Sequence, residues 1–241
     1  MDGLKGSTVL VTGGGRGLGA VTCDLLAAAG AQIACVDVDQ ESADTVVGNI
    51  AEKGGQAVAI HADISGYEGA EQAVAHALRV YGRVDVLINN AAIDVTLPAE
   101  ELALDDWTRI INTNLNGPYW LSRIVFPLMK EQRNGQVVNV TSTAAKRAWA
   151  NASAYHASKW GLLGLSHALH VEGRPHGIRV SAVVAGGMRT PFLLDRFPDI
   201  NVDTLQEPRN VAQTILFVLT MPQGTVIPEV LVLPMTETSW P

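Results

Sequence analysis

Seven short apolar runs, many of them β-branched, recur along the chain between longer stretches of helical periodicity, and this alternation leaves few architectures open. The runs occupy residues 8–12, 32–37, 56–60, 84–89, 136–141, 178–184 and 226–233. Most are apolar at successive rather than alternate positions, which marks strands buried on both faces and covered by helices. Glycines end the helical runs at Gly30, Gly54-Gly55 and Gly82, where a left-handed residue closes the last turn. Pro127 falls inside the helical run 118–132 and is expected to kink it, because it removes a backbone donor. No repeat, low-complexity stretch or hinge interrupts the pattern. The expectation is one domain over residues 1–241: an α/β, doubly wound, mostly parallel seven-stranded sheet with helices on both faces.

A core of that size needs apolar material, and 47% of the 241 residues are hydrophobic against 17% charged, which excludes a disordered or coiled-coil chain. The net charge of −7, without a basic tract, argues against a nucleic-acid partner, since counterion release requires clustered Lys and Arg. The uncharged stretch 211–228 contains two prolines and a glycine and does not read as a membrane span. The start, Met1 to Gly6, carries an acid and two glycines and reads as neither signal nor transit peptide. Cys23 and Cys35 lie in apolar surroundings and read as buried thiols of a reducing, cytoplasmic compartment.

The first apolar run leads into Thr12-Gly13-Gly14-Gly15-Arg16-Gly17-Leu18-Gly19 and then into a helical stretch. Glycines let a phosphate approach the backbone, and the helix N-terminus that follows presents free N–H groups and partial positive charge. The spacing is T-G-x-x-x-G-x-G through Gly13, Gly17 and Gly19; no Gly-Lys-Ser/Thr follows, so it is not a P-loop. A tight turn without ligand would use similar residues. The second run, however, ends in Asp37, about 20 residues beyond the glycines, where a carboxylate can accept from both hydroxyls of an adenine ribose. That charge repels a 2′-phosphate and favours NAD over NADP; Arg16 in the loop is the counter-argument. The alternative role for Asp37 is to cap the helix beginning near Gln40.

Tyr155 and Lys159 stand four residues apart on a helical run, hence on one face. A fixed cation beside a phenol lowers its pKa toward a range useful for acid–base work. Such a pair is commonplace, but Ser142 ends the fifth apolar run thirteen positions earlier, at the strand end where the ligand crevice of an open α/β sheet lies. Asn89-Asn90 and Asn114 add amides among apolar neighbours, and these need partners.

Together these residues resemble the short-chain dehydrogenase/reductase family in its compact, single-domain Rossmann form, over nearly the whole chain. The resemblance implies a dinucleotide loop at Gly13, Gly17 and Gly19, with Gly15, Arg16 and Leu18 beside it, and a ribose contact at Asp37. It implies an adenine contact at Asp63 and Ile64, a cofactor-lining segment at Asn90 and Ala91, and a nicotinamide loop from Gly186 through Met188 to Thr190. It makes Asn114, Ser142, Tyr155 and Lys159 a catalytic tetrad, Tyr155 and Lys159 also touching the cofactor. Four positions depart from the family pattern: Ala92 for glycine, Ala185 for proline, Ser181 for asparagine, and a tail 230–236 without Asp-Gly-Gly.

The expected function is hydride transfer between NAD and a secondary alcohol or ketone. Tyr155 moves the proton, Ser142 hydrogen-bonds the substrate oxygen, Lys159 lowers the phenol pKa and binds the nicotinamide ribose, and Asn114 holds a water that links Lys159 to solvent. The rivals are an NADP-dependent carbonyl reductase, distinguished by comparing the two nucleotides, and a nucleotide-sensing module without turnover, against which the intact tetrad argues. A homo-oligomer, tetramer or dimer, is implied, with the helical runs 117–129 and 157–169 as candidate interfaces. His167 and His170 have helical spacing but no third ligand, so no metal is expected. Glu100-Glu101 and Asp105-Asp106 read as helix starts. Met188, Trp149, Phe192 and Leu193 are candidate pocket walls, and Arg147 and Arg189 candidate anion contacts.

Overall fold

The computed structural model describes residues 4–237; residues 1–3, the first half of the N-terminal segment interpreted above, and 238–241 lie outside the described residues. The elements alternate as the sequence requires: β1 (Thr8–Thr12), α1 (Gly17–Ala28), β2 (Gln32–Asp37), α2 (Gln40–Glu52), β3 (Gln56–His61), α3 (Tyr67–Tyr81), β4 (Val86–Asn89) and α4 (Leu104–Ile111). A single π-helical turn, Asn112–Asn116, joins α4 to α5 (Gly117–Gln132), followed by β5 (Gly135–Ser142), α6 (Ser153–Gly173), β6 (Ile178–Ala185), a short α7 (Pro191–Leu194), α8 (Pro208–Leu219) and β7 (Glu229–Val232).

The strands form one sheet in the order β3-β2-β1-β4-β5-β6-β7, every neighbouring pair parallel. Side chains alternate across a strand, so each strand feeds two cores. Val9, Val11, Ile33, Cys35, Val138 and Val140 pack under α1, α2 and α8. Leu10, Ala34, Val36, Leu87, Val137 and Val180 pack under α3, α5 and α6.

Three local expectations differ from the structure. The fourth strand starts two residues late, at Val86, because the Asp85 carboxylate itself takes the Thr8 N–H at 2.9 Å. The seventh shrinks to four residues: Pro228 offers only its carbonyl, which accepts from Ala182 N–H at 2.9 Å. Glu100-Glu101 start no helix; Glu101 N–H closes a turn on the Pro98 carbonyl, and α4 begins at Leu104 with Asp105 and Asp106 in its first turn. α5 runs through Pro127 as one helical element and is preceded by the π turn. Gly30, Gly54 and Gly82 all take positive φ, as the helix stops require.

Candidate active site

The chain crosses over in opposite directions on either side of β1 and β4, which opens a crevice beyond their carboxyl ends. A cavity of about 870 Å³ occupies it, extending from the loop after β1 to the segments after β5 and β6.

The loop is shaped by close approach. Gly13 takes φ +61°, and a Cβ there would lie 2.9 Å from Ala91 Cα. A Cβ at Gly19 would lie 1.9 Å from the Gly13 carbonyl oxygen, so only glycine lets α1 start this close to the strand. No side chain caps α1, and Gly13, Arg16, Gly17 and Leu18 line the cavity around its open N-terminus. Gly15 and Gly19 lie off that lining. Gly15 instead donates its N–H to Asp37 at 2.9 Å, and Asp39 N–H adds a second bond at 3.1 Å, which fix the carboxylate at the cavity edge. The helix-cap role considered for Asp37 belongs to Asp39, which accepts from Ser42 N–H and whose acidity these Ser42 bonds increase.

Asn90 holds the loop from the β4 side through Nδ2 bonds to the Thr12 and Gly13 carbonyls at 2.9 and 3.0 Å. Thr12 Oγ1 receives Ala91 N–H at 3.1 Å. Asn90, Ala91, Asp63 and Ile64 all line the cavity. Ala92 has no positive φ, so replacing glycine there costs no backbone strain. At the other end Gly186, Met188 and Thr190 line the cavity, and a Cβ on Gly186 would lie 2.8 Å from Pro234 Cδ. A cradle without Cβ atoms, an open helix N-terminus and a carboxylate one strand away together fit a dinucleotide.

β5 delivers Ser142, α6 delivers Tyr155 and Lys159, and the π turn delivers Asn114. Ser142, Tyr155 and Lys159 line the cavity together, and Lys159 Nζ lies 5.6 Å from the phenol ring centroid. Lys159 Nζ donates to the Val140 carbonyl at 3.0 Å. The electrostatics reverse the expected order of effects: burial dominates and pushes Tyr155 up to about 12, while the Ser142 hydroxyl only partly opposes it. Lys159 is driven down to about 8 by burial and does not lower the phenol in this state. Asn114 is fully buried, and its side-chain amide bonds neighbouring segments. Oδ1 takes Ile93 N–H at 2.8 Å, and Nδ2 donates to the Ile93 carbonyl at 2.8 Å and to Ser158 Oγ at 3.1 Å. These bonds fix the irregular segment that leads from β4 into the pocket.

Trp149, Phe192, Leu193, Met188 and Arg147 line the cavity as expected, whereas Arg189 does not; it bonds the Val202 carbonyl and Glu207. Arg147 pairs with Glu237 at 3.2 Å. His167 faces Glu229 at 3.2 Å, and among the described residues no cluster of three or more His, Cys, Asp or Glu could hold a metal ion. Cys23 and Cys35 are buried free thiols in mutual contact, which pushes the Cys23 thiol well up. No helix among the described residues is long and apolar enough to cross a membrane.

Three residues of the site escape sequence reasoning. His156 accepts Trp149 N–H at 3.1 Å through Nε2 and meets the Ala144 carbonyl at 3.0 Å through Nδ1, pinning the segment after β5. Asp94 and Arg196 form an ion pair at the cavity wall, from positions 102 residues apart. No periodicity or spacing connects them.

The chain matches the short chain dehydrogenase family model over residues 7–201. It is 32% identical over 238 residues to a 3-oxoacyl-[acyl-carrier-protein] reductase of Synechocystis sp., covering 94% of each chain. A metagenomic short-chain oxidoreductase crystallised with NADP superposes with a TM-score of 0.85 at 32% identity, over 98% of this chain and all (100%) of the other. The 3-ketoacyl-(acyl-carrier-protein) reductase of Brucella melitensis, complexed with NADH, gives 0.88 at 30% identity over 96% and 98%. The doubly wound sheet, the glycine cradle and these matches agree: the chain belongs to the short chain dehydrogenases, a family of NAD(P)-linked oxidoreductases acting on small molecules.

Proposed function

We propose that the chain transfers a hydride between NAD and a secondary alcohol or its ketone, acting as a single unit over residues 1–241. The observation that carries this reading is the meeting of Ser142, Tyr155 and Lys159 in the cavity that Asp37 borders, with the Lys159 ammonium beside the phenol ring. The nicotinamide supplies the hydride chemistry when bound, and the protein supplies binding, orientation and the proton. Tyr155, neutral in the free chain, donates its proton to a ketone oxygen in the reducing direction and takes it back from the alcohol in the other. Ser142 donates to that same oxygen as negative charge grows on it. Lys159, held by the Val140 carbonyl, has further protons to offer to the ribose hydroxyls. Asn114 acts by position, since its amide fixes Ile93.

NAD is favoured over NADP because Asp37 is held at the cavity edge by two backbone N–H groups and brings negative charge to where a 2′-phosphate would lie. Arg16, on the same rim, limits that preference without reversing it. A homo-oligomer, dimer or tetramer, of a cytoplasmic enzyme completes the reading. The test is turnover of a secondary-alcohol panel with NAD and with NADP, followed by nicotinamide absorbance. Tyr155→Phe should lower turnover by about 10³-fold, the middle of the range for general acid–base catalysis, while nucleotide affinity stays at the parental level. Surviving turnover in that variant, or faster turnover with NADP than with NAD, overturns the corresponding part.

A further inference from the structure

Residues 191–200 border the cavity with little of their own to hold them there. None of the four residues of α7 is fully buried. Among the described residues, the hydrogen bonds of 191–200 run within residues 190–200, apart from one ion pair that joins Arg196 to Asp94 across 102 residues. Asp94 follows Ile93, whose N–H and carbonyl are both held by the Asn114 amide, so the anchoring end of the pair is fixed. The side chains of Asp94 and Arg196 are only 6% and 21% exposed. A pair held this far out of water gives little net stability, since desolvation offsets the attraction; its effect is on which arrangement the chain adopts.

That arrangement bears on the phenol. Arg196 donates Nε–H to the Phe192 carbonyl at 2.8 Å, and its guanidinium lies over the Phe192 ring at 4.1 Å. The Phe192 ring in turn packs on Tyr155, with centroids 5.8 Å apart, in a small apolar cluster with Ala144 and Ala152. Tyr155 is buried, and that burial is the largest influence raising its pKa. The charged and titratable groups around it are Lys159 and His156 on α6, Asp94 beyond β4 and Arg196 beyond α7, with the Ser142 hydroxyl from β5. Lys146 and Arg147, which follow β5, are engaged by Glu229 and Glu237. Asp94 raises the phenol pKa and Arg196 lowers it, so the two charges of the pair oppose each other there, and the cover supplied by Phe192 remains.

We infer that Arg196, anchored by Asp94, is a positioning residue that docks Phe192 on Tyr155 and so keeps water off the phenol that exchanges the substrate proton. The inference rests on the reading of Tyr155 as the acid–base group. It differs in sign from a purely electrostatic role: loss of the Arg196 charge alone raises the Tyr155 pKa, whereas loss of the Phe192 cover lowers it. Tyrosinate absorbance is followed against pH in the parent chain, Arg196→Leu, Arg196→Lys and Phe192→Ala. Each curve is taken as the difference from the same chain carrying Tyr155→Phe, which isolates Tyr155, and circular dichroism checks folding at every pH. Arg196→Leu and Phe192→Ala should bring the phenol down from about 12 toward 10.0 by about one unit or more, and Arg196→Lys, which keeps the charge pair, by less. In the reduction of cyclohexanone, the fall of kcat/KM at high pH, where the donor phenol has lost its proton, should move by the same amount.

An unchanged or raised Tyr155 titration in Arg196→Leu, or an unchanged one in Phe192→Ala, overturns the inference. Phe192→Ala leaves the ion pair intact and decides alone if Arg196→Leu does not fold. The titration needs no turnover, which separates the two readings. A lowered titration without turnover, or without the kinetic shift, upholds the docking and overturns the acid–base role; turnover with an unshifted titration overturns the docking alone.

Discussion

Lys159 is held as a cation where water cannot solvate it, and the sign of the resulting pH dependence follows from its depressed pKa. The folded chain releases this proton at about 8 and the unfolded chain near 10.5, so between those values the unfolded state binds more protons and stability rises with pH. Below the lower value the cost is fully present. Lys159→Met should therefore stabilise the protein at pH 7 by up to about 3 kcal/mol, at 1.36 kcal/mol per pKa unit, with the gain shrinking as the pH climbs through this window. Thermal melts at pH 7 and pH 9.5 check it: a gain that does not shrink would show that Lys159 is not the group responsible. The same variant should lose turnover, the familiar exchange of stability for a strained functional group. Tyr155 acts in the opposite sense only above its ordinary value of 10.0, because burial keeps the folded phenol neutral to about 12.

Asn114 shows why a helix with one irregular turn matters more here than a straight one. The π turn at Asn112–Asn116 lies between two α-helices and projects a fully buried amide onto Ile93. π turns are frequent at functional sites because they re-aim one side chain without ending the helix. Asn114→Ala removes the side-chain partner of both Ile93 backbone groups and leaves Ser158 Oγ with only its bond to the Tyr155 carbonyl. It should destabilise the chain by about 3 kcal/mol, on the usual cost of unmet buried polar groups, read as a lower urea midpoint with an unchanged slope. If Asn114 serves only to hold a water, that midpoint will scarcely move.

At the scale of the molecule, the parallel sheet is covered on both faces, and what stays exposed on the helices is informative. On α5 and α6, Tyr119 and Trp160 remain 39% and 51% exposed, on the two helical runs expected to mediate association. Aromatic residues of this size concentrate at subunit interfaces. Sedimentation should give a mass that is a multiple of 25.6 kDa, and Trp160→Glu should shift it toward the single chain. A parent that sediments as one chain refutes the interface.

Strand identity and the glycine cradle followed by Asp37 were legible in the sequence, because they depend on local periodicity and short-range spacing, whereas the grouping of Asn114, Ser142, Tyr155 and Lys159 came from the family resemblance. β1 and β2 match the expected residues 8–12 and 32–37. The departures lie where a distant group competes with the local pattern: Asp85 replaces a ladder bond of β4, and Pro228 shortens β7. The sequence likewise placed a cation four residues from a phenol, but only packing determined that burial outweighs that charge and holds the phenol neutral. Asp94 and Arg196 meet across 102 residues, and Asn114 reaches Ile93 across 21. Spacing along a chain records neighbours on one element; desolvation and contacts between elements exist only once the sheet and its helices have closed around them.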